Sequence, residues 1–239
     1  MPLLRSRSAS DINIRSAPQM LEYEQIADRL AADRPGRVLD WGCGAGQVTS
    51  LLRSRGLDVT AYDWRPGVPE PVVRPLEHYP EVHAHISSEP VKLPFDDRSF
   101  DAVLSCGVLE HVHDPDGSLE ELKRVLAPGG TFYVYKLPNR SSYLEAVARL
   151  ANRLGAPLYF HGKAPHDRIY DERGARTLLE RHGYRVRELG LANLLPLTLP
   201  GAIARRATPA IWWLNRALTR VPGLRRLATN VELVADAPA

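Results

Sequence analysis

From residue 20 to 32 the chain places Leu21, Ile26, Ala27 and Leu30 at helical spacing, and the run stops at Arg34-Pro35-Gly36. A short apolar segment, RVLDWG, then ends in glycines; Val48, Leu51 and Leu52 return to helical spacing up to Gly56, and LDVTAYDW forms a second buried-strand pattern. Strand, helix, strand is a βαβ unit. The alternation continues through VHAHIS (82–87), FDAVLSCG (100–107), a helix over 118–126 and GGTFYVYKL (129–137). That helix is expected to open on a Ser118/Glu121 capping box, bury Leu119, Leu122 and Val125, and stop at Pro128-Gly129-Gly130. A helix over 171–182 and strands over 184–190 and 228–235 complete the pattern. Such alternation predicts an α/β fold with a mostly parallel sheet between helices, and a ligand crevice at the carboxyl ends of the strands.

Composition narrows the picture. The 239 residues suit one large domain over 19–239, preceded by a flexible tail over 1–18, with cap or insertion segments near 138–170 and 191–227. Apolar residues at 44% and charged residues at 25% describe a globular chain. The net charge of +3 is unevenly spread: 189–231 holds six arginines and no acid, which leaves the remainder at −3. This balance argues against a nucleic-acid partner, whose basic footprint is broader. With Cys43 and Cys106 alone, a disulfide scaffold is excluded and a reducing compartment, the cytoplasm, is expected. The first eighteen residues contain no signal-type apolar region, and 191–204, broken by Pro196, Pro200 and Gly201, falls short of the ~20 residues of a membrane span.

The strongest chemical signal is Asp40-Trp41-Gly42-Cys43-Gly44-Ala45-Gly46, where glycines follow a strand and open a helix so that backbone can approach a ligand. The spacing is GxGxG, and Gln47 disfavours the GxGxxG pyrophosphate fingerprint. Asp40 before the loop suits a cationic ligand. Asp63 ends the second strand, where a carboxylate can accept from both hydroxyls of a ribose; alone it also fits a solvated turn before Arg65-Pro66-Gly67. His111 and His166 are candidate bases, since an imidazole titrates near neutrality, and each also reads as a backbone-bonded loop histidine. His83-x-His85 and His111-x-His113 share a face at most, and no metal site is expected.

The stretches VLDWGCGAG (38–46), Asp63, LPFDDRSFDAVLSCGVLEHV (93–112) and LKRVLAPGGTFYV (122–134) resemble the class I S-adenosylmethionine-dependent methyltransferases, small-molecule enzymes of the ubiquinone-biosynthesis type, over roughly residues 20–190. The resemblance implies a Rossmann-like seven-stranded mixed sheet, order 3-2-1-4-5-7-6, flanked by helices, with a helical insertion before the last strand, NVELVA. It implies S-adenosyl-L-methionine as cofactor, with Asp40, Gly42, Cys43, Gly44 and Gly46 facing the methionyl group. Asp63 would hold the ribose with Trp64 beside it, Glu89 the adenine amino group, and Cys106 the cofactor's other side. Pro90 departs from the family pattern by removing a backbone N–H that often meets the adenine.

The function expected is methyl transfer to an oxygen of a small-molecule, glycan or lipid-linked acceptor; the alternative is a non-catalytic cofactor-binding module docked to a membrane or partner enzyme. The segment 191–227 is its most individual feature. A helix is expected to start at Thr208-Pro209 and to carry Ile211, Leu214, Leu218 and Val221 as an apolar stripe bordered by Trp212 and Trp213. With Arg216 and Arg220 opposite, it reads either as an interfacial helix at the inner face of a membrane or as a cap beside the substrate pocket.

Overall fold

Along the first strand the side chains alternate between two faces: Val38 packs with one hydrophobic cluster and Leu39 and Trp41 with another. A central strand covered on both sides follows from that pattern. The computed structural model describes residues 16–155, 168–195, 197 and 202–239, with backbone alone at 202–205. Its elements are α1 (Ala17–Asp33), β1 (Arg37–Trp41), α2 (Gln47–Ser54), β2 (Asp58–Trp64), β3 (Val72–Pro75), β4 (His83–Ser87), β5 (Phe100–Cys106) and α3 (Pro115–Val125). There follow β6 (Leu126–Pro138), α4 (Tyr143–Arg153), α5 (Glu172–Arg181), β7 (Arg185–Ala192), α6 (Ala202–Leu218), α7 (Pro222–Arg225) and β8 (Asn230–Asp236).

The sheet has eight strands in the order β3-β4-β2-β1-β5-β6-β8-β7. Neighbours from β4 to β6 run parallel, and β8 lies antiparallel to both β6 and β7. The α/β class stands as expected, but seven strands is one too few. Apart from β3 the order reads as anticipated; β3 adds an antiparallel edge beside β4. All four of its residues are exposed, so it carries no alternation to detect, and Pro75 is tolerated because an edge strand has a free side.

One cluster joins Leu39, Val103, Phe132 and Val134 to Leu119 and Leu122 of α3 and Leu178 and Leu179 of α5. The other joins Val38, Leu104 and Tyr133 to Tyr23, Ile26 and Leu30 of α1 and Val48 and Leu52 of α2. Helix α1 begins at Ala17 with Ser16 buried, two residues inside the expected tail; residues 1–15 lie outside the described residues. Helix α3 starts earlier than its expected capping box. Asp114 is the cap, its carboxylate accepting from Gly117 N–H, with Pro115 at the first position. Ser118 is therefore interior, and Glu121 instead accepts from Leu93 N–H and Arg124.

The carboxyl-terminal insertion differs more. Helix α6 runs through Pro209, which is exposed, so the hydrogen bond that proline deletes falls on the solvent side. Of the expected stripe only Ile211 is buried; Leu214 and Val221 are exposed, and the buried neighbour of Ile211 is Asn215. Asn215 Oδ1 accepts from Leu194 N–H at 2.8 Å and Leu195 N–H at 2.7 Å, docking α6 on the end of β7. A buried asparagine is stable there because those backbone donors satisfy it.

Candidate active site

The turn after β1 is set by its glycines. Gly42, Gly44 and Gly46 have φ of +77°, +56° and +94°, a region other residues avoid. A Cβ on Gly42 would strike Val108 at 2.5 Å and one on Gly46 would strike Leu76 at 2.7 Å, whereas one on Gly44 would meet nothing within 4 Å. The outer glycines thus answer to packing and the central one opens a cradle. Gly42 and Cys43 N–H both donate to Tyr62 O, tying the loop to β2. At the loop's end, Gln47 Oε1 is buried with no donor among the described residues.

Asp40 lies under this loop, buried, with one oxygen accepting from Thr49 Oγ1 of α2 at 2.6 Å. Burial pushes its carboxyl up to about 6, with the Thr49 hydroxyl pulling the other way. Asp63, at the end of β2, is raised by burial as well, against the opposing pull of Arg65. Arg65 Nε donates to Asp63 Oδ2 at 3.0 Å, and the same guanidinium reaches the Gly44 carbonyl at 3.5 Å. Arg65 therefore straddles the crevice between loop and carboxylate, a contact that sequence reading missed.

The remaining expected residues are spread around this point. Trp64 is 48% exposed, its indole N–H donating to Ser88 O. Glu89 is exposed after β4, where it lines a hollow with Gly117, Glu120 and Arg124 of α3. Cys43 turns its thiol away, into a small cluster with Ala61, Leu76 and Ile86, so only its backbone serves the loop. Cys106 packs beside the α1–α2 cluster. Burial raises both thiols, so they stay protonated, and both are free. His111 follows β5 with its ring half exposed and Nε2 3.8 Å from the buried Glu110 carboxylate. Arg168 latches this turn by donating to the Val112 and His113 carbonyls. His166 lies outside the described residues. His85 packs edge-on against Phe95, with burial holding its ring below the usual histidine range.

A second polar group, also missed, joins α1 to the end of β6 and the residue after β7. Glu22 accepts from Gln19 and Lys136 at 2.6 Å each and from Asn193. Lys136 and Asn193 both take left-handed backbone, φ +63° and +62°, which aims their side chains at one carboxylate. Burial disfavours the Lys136 ammonium, but Glu22 beside it prevails and holds it above the usual lysine range. The available signals were a glutamate on the apolar face of α1, four residues before Ile26, and a lone lysine ending an apolar strand.

A glycine loop with its central position open, a carboxylate at the next strand end and a doubly covered parallel sheet define a Rossmann-like nucleoside-binding domain. Residues 18–189 match the family described as a methyltransferase domain, and the chain belongs to it. The chain is 35% identical over 133 residues to the ubiquinone biosynthesis O-methyltransferase of Xanthomonas campestris pv. campestris, covering 55% of this chain and 54% of that one. It is 33% identical over 138 residues to the demethylmenaquinone methyltransferase of Renibacterium salmoninarum, covering 54% and 56%. The matches thus span about half the length of these curated relatives. In fold it is similar to the Burkholderia thailandensis 1,6-didemethyltoxoflavin-N1-methyltransferase solved with S-adenosylhomocysteine, at TM-score 0.56 and 17% identity over 96% of this chain and 82% of that one. A SAM-dependent methyltransferase from Aquifex aeolicus overlaps at TM-score 0.54 and 17% identity, over 97% and 100%.

Proposed function

We propose that this chain is an S-adenosyl-L-methionine-dependent methyltransferase acting on an oxygen of a small-molecule or lipid-linked acceptor. The observation that carries the reading is the cradle at Gly44, open to the crevice and flanked by the carboxylates of Asp40 and Asp63. Two carboxylates with a single guanidinium between them, Arg65 on Asp63, leave Asp40 free of any direct ion pair among the described residues and suit a ligand bearing an ammonium and a sulfonium. When bound, S-adenosyl-L-methionine supplies a methyl group activated for displacement by its sulfonium. Asp40 and the 42–46 loop would hold its methionyl end, Asp63 the ribose hydroxyls, and Glu89 with Trp64 the adenine edge. Because Arg65 sits on Asp63, ribose binding requires the guanidinium to share that carboxylate or leave it.

The chain's remaining work is to orient the acceptor, exclude water and take a proton from a hydroxyl. His111, beside Glu110 at the mouth of β5, is the described group placed for that proton; His166 is the second candidate. The relatives' names favour a quinone-type acceptor, and the ubiquinone O-methyltransferase favours oxygen as the atom methylated. Calorimetric titration with S-adenosylhomocysteine, followed by transfer from labelled methyl donor to phenolic acceptors, tests the reading. Absence of binding would overturn it, and binding without transfer would leave the docked, non-catalytic module.

Peripheral contact with an anionic membrane through 191–227 is part of the same proposal. Trp213 is 64% exposed, and Leu214, Val221, Leu224 and Leu227 are exposed beside Arg206, Arg216, Arg220 and Arg226. Helix α4, whose first N–H donates to the Leu227 carbonyl, adds exposed Val147, Leu150, Arg149 and Arg153. Among the described residues no helix is long and apolar enough to cross a membrane.

A further inference from the structure

Between α1, α6 and the strands β6, β7 and β8 lies a cavity of about 370 Å³, within the range of small-molecule sites. None of the residues assigned above to cofactor or proton transfer lines it. Its apolar walls are Leu21, Ile26, Tyr135, Leu191 and Trp212. Its charged groups are nearly all matched. Glu22 pairs with Lys136 and Arg29 with Glu188, each at 2.6 Å, while the Arg216 guanidinium lies 4.9 Å from the centre of the Trp212 ring. Glu232, projecting from β8, is the exception: no hydrogen bond or ion pair reaches its carboxyl among the described residues. The buried indole N–H of Trp212, on the facing helix, has no acceptor among them either.

We propose that this cavity binds a small organic monocation, an amine with an apolar body, whose ammonium meets Glu232 and whose body packs on Trp212 and Tyr135. An unmatched, half-buried carboxyl on the wall of a cavity repels anions and gains from a cation, while aromatic walls reward the same charge. A hydrogen-bond acceptor elsewhere on the ligand would satisfy the Trp212 N–H. Burial pushes the Glu232 carboxyl up to about 8, with Glu22 adding to it and Lys136 opposing. A cation therefore binds at neutral pH with loss of a proton from Glu232. The other groups around the site are Glu22 and Arg29 on α1, Tyr135 and Lys136 on β6, Glu188 on β7 and Arg216 on α6. Glu188 and Arg29 neutralise each other, and burial raises Tyr135 above the usual tyrosine range.

The test titrates the whole chain with benzyltrimethylammonium, benzyl alcohol and phenylacetate, followed through the Trp212 indole N–H signal by NMR. The quaternary cation holds its charge at every pH. It should saturate the signal and bind at least about tenfold tighter than the alcohol, with phenylacetate giving no saturable shift. Its affinity should rise between pH 6 and 8 as Glu232 deprotonates. Glu232→Gln should lose at least about tenfold in cation affinity and flatten that profile, with a melting temperature no lower than the parent's. Equal affinity for cation and alcohol in the unmodified protein would overturn the proposal without recourse to any variant. So would an unchanged cation affinity in folded Glu232→Gln, or no saturable cation binding at millimolar concentration. Because methyl transfer is not read, the outcome is independent of the enzymatic assignment.

Discussion

Single residues decide the two polar centres of this molecule. At Gly44, valine would place a branched side chain at φ +56° and fill the cradle, so Gly44→Val should abolish S-adenosylhomocysteine binding while the fold survives. Asp63→Ala should weaken it by ~2–3 kcal/mol, the worth of charged hydrogen bonds to the ribose. Calorimetry checks both, and parent-like affinity in either would remove that group from the site. Asp40, pushed up to about 6, loses its charge as pH falls through that value, so affinity for a cationic ligand should decline below it. Thr49→Val removes the hydrogen bond that stabilises the ionised form and should move the midpoint of that decline upward. A pH series of titrations on both proteins measures it; identical midpoints would detach Asp40 from binding.

The Glu22 centre is structural chemistry of another kind. Its carboxylate has three donors from three segments, so truncating one member leaves a charge buried and unmatched. Glu22→Ala and Lys136→Met should each cost ~3–5 kcal/mol in urea unfolding, and the pair Glu22→Leu with Lys136→Met should recover much of the loss. Additive losses would mean that the two groups do not act on each other.

Among the elements, α6 illustrates how one buried polar side chain turns a helix. Asn215 binds the backbone at 194–195, and with it Ile211 faces the protein while Trp213 and Leu214 face outward among arginines. Each basic residue near an anionic surface adds ~1 kcal/mol, so the contact requires several acting together. Arg225 is already paired with Glu172 at 3.0 Å, so Arg216, Arg220 and Arg226, the other exposed arginines between 216 and 226, are the groups to change. Liposome sedimentation should show binding that requires anionic lipid, weakens with salt, and disappears in Arg216→Gln/Arg220→Gln/Arg226→Gln. Equal binding to neutral vesicles, or none at low salt, would make this face an ordinary solvated surface.

For the molecule as a whole, the buried carboxyls shape the dependence of stability on pH. Glu232 holds its proton up to about 8 when folded and releases it near 4.5 when unfolded. Between those values the native state binds the extra proton, so stability falls as pH rises, by at most ~1.4 kcal/mol per pH unit. Asp40 acts in the same direction over a narrower window ending near 6. Glu232→Gln should therefore flatten the slope between pH 6 and 8 and melt above the parent at the upper end. Thermal melts across that range decide it, and parallel slopes would show that Glu232 does not carry the linkage.

The βαβ alternation, the glycine turn and the carboxylate ending β2 were legible because each rests on local chemistry: side-chain periodicity over a few residues, and backbone angles that only glycine adopts freely. The cap of α3 was equally local, written in Asp114-Pro115, though the serine three residues on offered a competing signal. The exposed edge strand β3 left no trace, since four solvent-facing residues carry no pattern. Only the folded chain could bring Glu22, Lys136 and Asn193 together across more than a hundred residues, set Arg65 on Asp63, and leave Glu232 unmatched in a cavity walled by α1 and α6. Sequence determines what each segment buries; which charges then face one another depends on how distant segments cross, and buried electrostatics is decided by those distances.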